Sequence, residues 1–194
     1  MACPWAAVAP VCALATSLSG ARPKTAMSNG SINHGRILRN LMRLMDVTCG
    51  HSLYEVLPRG VQMWLPEQER GVYPDLIVVA GAPLLHDGQA DRVLNPCVLF
   101  EILSDPTPSY SPEAAALPER GGLFRQCRAI PYLQAYVFVH QTEARVEQFY
   151  RADAEHLWGM TAQTGLDSVV ELAITNARLP MMDIYAQVDS SLLV

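Results

Sequence analysis

Two short apolar runs, each with one carboxylate, constrain the fold of this chain more than any other feature. The first run spans residues 73–81 (YPDLIVVAG) and carries Asp75 near its start, and the second spans residues 95–104 (NPCVLFEILS) and carries Glu101 in its middle. Apolar runs of about four to eight residues bounded by proline, glycine or serine are typical of buried strands. An unpaired charge inside such a strand is costly to bury, so Glu101 requires a compensating partner.

A helix is predicted upstream of these runs. Between Asn33 and Asp46 the apolar residues recur at helical spacing, and the arginines lie on the opposite face. Ser31 or Asn33 can cap its first turn, and the pair Cys49-Gly50 can end it.

The remaining pattern predicts several strands and two more helices. Strands are predicted at 53–57 and 61–65, joined as a pair by a turn at Pro58 and Gly60, and then in AYVFVH, ARVEQFY, HLWGMTA and VVEL, of which the middle two form a hairpin. A helix is predicted over about Arg120–Ala129, and a closing helix begins at Pro180 and runs through Val188. This order predicts an α/β (α+β) fold in which helices flank a mixed sheet.

The chain is predicted to divide into an irregular N-terminus, one domain and a short tail. Residues 1–25 are rich in alanine and contain no acidic residue. They look superficially like a secretory signal, but prolines interrupt the apolar stretch, so an altered N-terminus of a cytoplasmic protein is the preferred interpretation. Residues 26–188 then form the domain and residues 189–194 the tail. No run approaches the roughly 20 apolar residues of a membrane helix.

The charge balance is acidic, and the basic residues are nearly all arginine. The formal net charge is −5, and Lys24 is the only lysine. Such a chain lacks the basic character of proteins that bind nucleic acid by neutralising phosphates, although a carboxylate site regains positive potential when it binds metal. The five cysteines form no CxxC pair, which favours small buried residues over a zinc site.

Asp75 and Glu101 are candidate metal ligands because adjacent strands can bring them together. Two carboxylates held close repel each other unless a divalent cation binds between them. That arrangement suits phosphodiester hydrolysis, in which a metal ion binds the scissile phosphate and helps to generate hydroxide. From the residues alone, Asp75 can equally be a turn residue, and Glu101 can face solvent at a sheet edge.

Several motifs follow one another in a distinctive order. PD precedes a run of valines, EILSDPT follows NP, and the segments ERGGLFRQCRAIPYLQAYVFV, RVEQFYR, GLDSVVEL and LPMMDIY come later. This order resembles the Uma-two family of restriction endonucleases, in the PD-(D/E)XK nuclease superfamily, over about Ala26 to Val188. The resemblance implies a restriction-endonuclease-like bacterial protein with DNA as substrate and Mg²⁺ or Mn²⁺ as cofactor. It also implies that Asp75, Glu101 and the backbone carbonyl of Ile102 bind the metal.

The same resemblance places His34 beside the active site and indicates that a lysine is missing. AMSNGSINHGRILRNL is similar to the family's first core helix, which makes His34 a secondary catalytic candidate. Where the family reads YDRGxKFxxY, this chain reads PERGGLFRQC, so Leu123 stands at the lysine position and Glu119 at the aspartate position. The superfamily's lysine orients or activates the attacking water, and leucine can do neither.

The sequence supports two hypotheses of function and leaves open whether the chain is an active enzyme. The first is a metal-dependent endonuclease whose catalysis is impaired at Leu123, since Arg120 or Arg125 could replace the charge of the lysine but not its proton transfer. The second is a noncatalytic remnant of the nuclease fold that binds DNA or forms a homodimer through an exposed sheet edge.

Overall fold

The computed structural model describes residues 31–49, 53–103, 121–152 and 157–189 of the chain. The predicted irregular N-terminus with Lys24, and the candidates Glu119 and Arg120, lie outside these ranges.

A mixed six-stranded sheet forms the centre of the described fold. With strands numbered in chain order, it consists of β1 (Tyr54–Pro58), β4 (Leu76–Ala80), β6 (Pro96–Leu103), β7 (Ala135–His140), β8 (Arg145–Arg151) and β9 (Trp158–Thr164), arranged side by side in that order. Neighbours are antiparallel except for the parallel pair β6 and β7. A parallel pair needs a long crossover connection, and the helix α2 (Gly121–Cys127) lies within it. The predicted α+β architecture is confirmed.

Smaller elements complete the fold. The other helices are α1 (Ile32–Cys49) and α3 (Met181–Ile184), and short 3₁₀ turns occur at Pro66–Gln68 and His86–Gly88. A small sheet has the order β3 (Arg70–Val72), β2 (Gln62–Leu65) and β5 (Arg92–Val93), and a hairpin joins β10 (Val169–Leu172) to β11 (Ala177–Pro180).

The central sheet is covered on both faces, which is why its middle strands are continuously apolar. One face packs against α1, α3 and the β10–β11 hairpin, through residues that include Ile37, Leu41, Phe100, Val137 and Leu179. The other face packs against α2 and the small sheet, through residues that include Met63, Leu99, Phe124, Tyr136 and Phe149. One apolar core therefore lies on each face of β4, β6 and β7.

The first helix matches its prediction and reaches the edge of the sheet. Its apolar stripe is buried against the sheet, and the Ser31 hydroxyl accepts a hydrogen bond from the His34 N–H at 3.1 Å, which makes Ser31 the cap. The Ser31 hydroxyl also donates to Gln141 at the end of β7, at 2.5 Å. The cap thereby fixes the first turn of α1 beside the ends of the central strands.

Two details of the prediction are wrong. Strands β1 and β2 do not pair with each other: β1 pairs with β4 in the central sheet, and β2 lies between β3 and β5. After β1 the chain leaves the central sheet through a turn at Pro58 and Gly60, where Gly60 has a φ of 117°. Strand β1 pairs with the buried strand β4 because this covers more apolar surface than a local hairpin with β2 would. The closing helix ends at Ile184 rather than Val188.

The cysteines of the described ranges behave as core residues. Cys49, Cys97 and Cys127 are buried and unpaired with one another, as the sequence predicts. Burial raises the pKa of the Cys97 thiol to about 12, so this thiol is not a nucleophile at neutral pH. Within the same ranges no helix has the length and apolar character to cross a membrane.

Candidate metal-dependent active site

Asp75 lies at the sheet edge where the start of β4 is beside the end of β6. Because β4 and β6 are antiparallel, with Leu76 opposite Phe100, the start of β4 is beside the end of β6. Asp75 directly precedes β4, is only 5% exposed, and accepts a hydrogen bond from the Ile102 N–H at 2.8 Å through Oδ2. The Asp75 carboxylate thus accepts the Ile102 hydrogen bond that a backbone carbonyl of the neighbouring strand would otherwise accept.

The Ile102 carbonyl points toward the same strand. In an antiparallel ladder the N–H and C=O of one residue face the same neighbour. Continued by two residues, the β4–β6 register puts Pro74 opposite Ile102, and proline has no N–H to donate to that carbonyl. The extended register therefore predicts an acceptor oxygen beside the Asp75 carboxylate.

Glu101 is the second acid of the site, and it is half-buried. It precedes Ile102 in β6, and the Tyr136 hydroxyl donates a hydrogen bond to its Oε1 at 3.4 Å. Burial, and then the neighbouring charge of Asp75, raise the pKa of Glu101 to about 8. The strands thus bring the two predicted carboxylates together, and Glu101 is mostly protonated at pH 7 in the metal-free protein.

His34 contacts the other oxygen of Asp75. Its Nε2 lies 3.1 Å from Asp75 Oδ1, and its side chain is 7% exposed. Burial lowers the pKa of His34, while the charge of Asp75 opposes this and the charge of Arg59 adds to it. A neutral imidazole that donates from Nε2 keeps a lone pair on Nδ1, and this buried Nδ1 has no hydrogen-bond partner among the described residues.

Arg59 is the residue of this site that the sequence did not indicate. Its Nη1 lies 3.5 Å from Asp75 Oδ1, and its side chain is 29% exposed, so it contacts both the acid and solvent. It belongs to the turn after β1, and the only sequence signal was its position between Pro58 and Gly60. Arg125, the predicted substitute cation, lies exposed on α2.

Leu123 lies on α2 and packs against the core cluster that contains Tyr136. The motif name PD-(D/E)XK also places a lysine two residues after the second acid, and that position here is Leu103, which packs against the same cluster. Both positions that could supply the lysine of the motif are therefore apolar.

The donor set fits a magnesium site that completes its shell with water. Among the described residues no three His, Cys, Asp or Glu side chains are grouped to hold a metal ion. Magnesium, however, ordinarily takes one or two carboxylates from the protein and keeps several waters. Asp75, Glu101 and the Ile102 carbonyl meet that need, and a divalent cation would favour the ionised form of Glu101. The cation would compete with His34 and Arg59 for Asp75.

Residues 25–182 match a family model described as “Uma2: Putative restriction endonuclease”. The matched segment is more than half of the chain. The protein belongs to the Uma-two family.

Two similar proteins come from cyanobacteria. “Uncharacterized protein sll1609” of Synechocystis sp. is 30% identical over 147 residues, which cover 76% of this Uma-two chain and 78% of the relative. A crystal structure of “a putative nuclease belonging to DUF820” from Anabaena variabilis has a TM-score of 0.58 at 15% identity, and the match covers 84% of this chain and 83% of the other. At that identity the likeness shows the fold, and it confirms the predicted resemblance to a nuclease fold.

The raised pKa of Glu101 predicts a pH-dependent effect of Glu101→Gln on stability. The folded-state pKa of about 8 lies above the ordinary value of 4.5, so the stability from neutral Glu101 is full below pH 4.5 and is lost as the pH rises through 8. Glutamine keeps a neutral side chain at every pH. With a metal chelator present, the free energy of unfolding of the native protein should therefore fall relative to that of Glu101→Gln as the pH rises from 5 to 9.

Chemical denaturation across that pH range measures this difference. Glu55→Gln, at an exposed position of β1, is the matched control and should follow the native curve. Parallel curves for Glu101→Gln and the native protein would contradict the raised pKa of Glu101.

Proposed function

We propose that this protein is a Mg²⁺- or Mn²⁺-dependent endonuclease domain acting on DNA phosphodiester bonds, with catalysis impaired because Leu123 replaces lysine. The proposal rests on the junction of β4 and β6, where the Ile102 N–H binds the Asp75 carboxylate and the charge of Asp75 helps to raise the pKa of the half-buried Glu101. Membership of the Uma-two family supports the reaction class.

In this proposal Asp75, Glu101 and the Ile102 carbonyl hold the metal. When bound, the metal ion supplies charge for the scissile phosphate and lowers the pKa of an attacking water. Tyr136 orients Glu101 through its hydroxyl, and the Ile102 N–H fixes Asp75. The apolar core beneath them keeps both carboxylates from turning away.

Arg59 and His34 are the groups that could act on the substrate. The Arg59 guanidinium remains charged at all relevant pH values and is partly open to solvent, so it can bind a phosphate oxygen. The Nδ1 of neutral His34 has a lone pair, but its burial opposes protonation, so His34 is the weaker of the two candidates. Neither group reproduces a lysine at position 123, because Arg59 does not exchange protons and the imidazole is held against Asp75.

The second candidate function is a noncatalytic DNA-binding remnant. One observation favours it: Oδ1 of Asp75 already contacts two basic side chains, His34 and Arg59. These contacts compensate the buried carboxylate without a metal ion. In either case we place the domain at residues 26–188 and assign the protein to the bacterial cytoplasm.

Plasmid cleavage tests the proposed function. Native protein, Asp75→Ala and Leu123→Lys would be incubated with supercoiled plasmid and Mg²⁺ or Mn²⁺. We expect slow cleavage by the native protein, an increase of about tenfold to hundredfold in Leu123→Lys, and none when Asp75→Ala is added to either. Position 123 is where the resemblance places the family's lysine, and its partial burial suits a lysine stem that covers apolar surface while the amine extends beyond it.

Leu166→Lys, at an exposed position, is the matched control and should leave the rate unchanged. Fast cleavage by the native protein would contradict the impairment. A folded Leu123→Lys protein that binds the plasmid without cleaving it would contradict the endonuclease and favour the remnant.

Arg59→Ala tests the role of the guanidinium. In the Leu123→Lys background we expect kcat/KM for plasmid cleavage to fall about hundredfold, because a preorganised cation beside the phosphate is lost. Arg59→Lys should restore part of the rate. Arg178→Ala, at an exposed arginine paired with Glu171, is the control. A rate that rises in Arg59→Ala would show instead that Arg59 only competes with the metal for Asp75.

A further inference from the structure

The two edges of the central sheet differ in how they are protected. Edge strand β1 carries Glu55, ends in Pro58 and lies against α1. Charges, prolines and covering elements are the usual means of keeping an edge from pairing with another chain. Edge strand β9 reads WGMTAQT and has neither a charge nor a proline over its seven residues. Within the described ranges, it is therefore the edge that is open to pairing.

The hydrogen bonds of β8 and β9 show which β9 residues face outward. The Leu157 carbonyl accepts from Ala152, and the Gly165 N–H donates to Ala144, so the odd-numbered positions bond toward β8. Because this direction alternates along a strand, the even-numbered positions present N–H and C=O groups outward. These positions are Trp158, Met160, Ala162 and Thr164.

We propose that two copies of this chain pair through β9, antiparallel, across a two-fold axis at Thr161. In that register Met160 lies opposite the partner's Ala162, and Trp158 lies opposite the partner's Thr164. All four outward-facing residues are then paired, and each pair exchanges two hydrogen bonds. The strand is self-complementary because its outward residues are placed symmetrically about its central residue.

The side chains favour this pairing. Met160, Thr161, Ala162 and Thr164 are exposed, and antiparallel pairing of the uncharged strand sets no like charges opposite each other. Thr161 meets the partner's Thr161, a combination that stabilises neighbouring strands. In sheet order β9 is three strands from β6, roughly 14 Å away, so the dimer leaves Asp75 and Glu101 uncovered.

Disulfide trapping tests the register. With Cys3 and Cys12 replaced by serine, Thr161→Cys should form a disulfide-linked dimer on mild oxidation, because opposite residues of a non-hydrogen-bonded pair have Cα atoms about 4.5 Å apart. Gln163→Cys is the matched control on the same face. Its two copies would lie roughly 14 Å apart along the strands, too far for a disulfide.

Sedimentation analysis tests the dimer itself. The native protein should sediment as a dimer, and Thr161→Lys should weaken dimerisation about tenfold or more by setting two charges opposite each other. Thr161 is exposed, so the variant should unfold at the same temperature as native monomer. A native protein that stays monomeric throughout a concentration series would overturn the proposal. A dimer that is unaffected by Thr161→Lys, or that cross-links equally at positions 161 and 163, would also overturn it.

Discussion

The hydrogen bond from the Ile102 N–H to the Asp75 carboxylate is the interaction on which the site depends. This hydrogen bond lies where β4 begins and β6 ends. It replaces the bond that the Ile102 N–H would otherwise donate to the Pro74 carbonyl. This arrangement buries the Asp75 carboxylate near two apolar cores, which is unfavourable for a charged group. His34 and Arg59 both contact that buried acid, and its charge adds to the burial that raises the pKa of Glu101.

The charges of Asp75 and Glu101 can be compensated in two ways, and both ways use the same residues. Without a metal, Glu101 keeps its proton, and Asp75 is balanced by Arg59 and by the Nε2–H of His34. A divalent cation bound here would instead favour the ionised form of Glu101, and Arg59 would then be available to bind a phosphate. Which state is favoured decides between an enzyme and a remnant. The leucines at positions 103 and 123 add no cation to either state.

Much of this site follows from local sequence, and its remainder depends on distant pairing. The apolar runs around Asp75 and Glu101 predicted adjacent strands, whereas the place of His34 beside the acids was implied only by the resemblance of its helix to the Uma-two family. Arg59 was not predictable, because its side chain reaches Asp75 only when β1 leaves its neighbour β2 and pairs with β4. The strand β5 was missed since two residues carry no periodicity, and its pairing with β2 is set by the core beneath it.

Mn²⁺ binding in the absence of DNA, followed by calorimetry or by electron paramagnetic resonance, separates these two states of the site. We expect one site in the native protein that is lost in Asp75→Asn and in Glu101→Ala. The same site should be retained in Asp91→Asn, where an exposed carboxylate is removed. Undiminished Mn²⁺ binding by a folded Asp75→Asn protein, or no binding by the native protein, would contradict the assignment of these carboxylates as a metal centre.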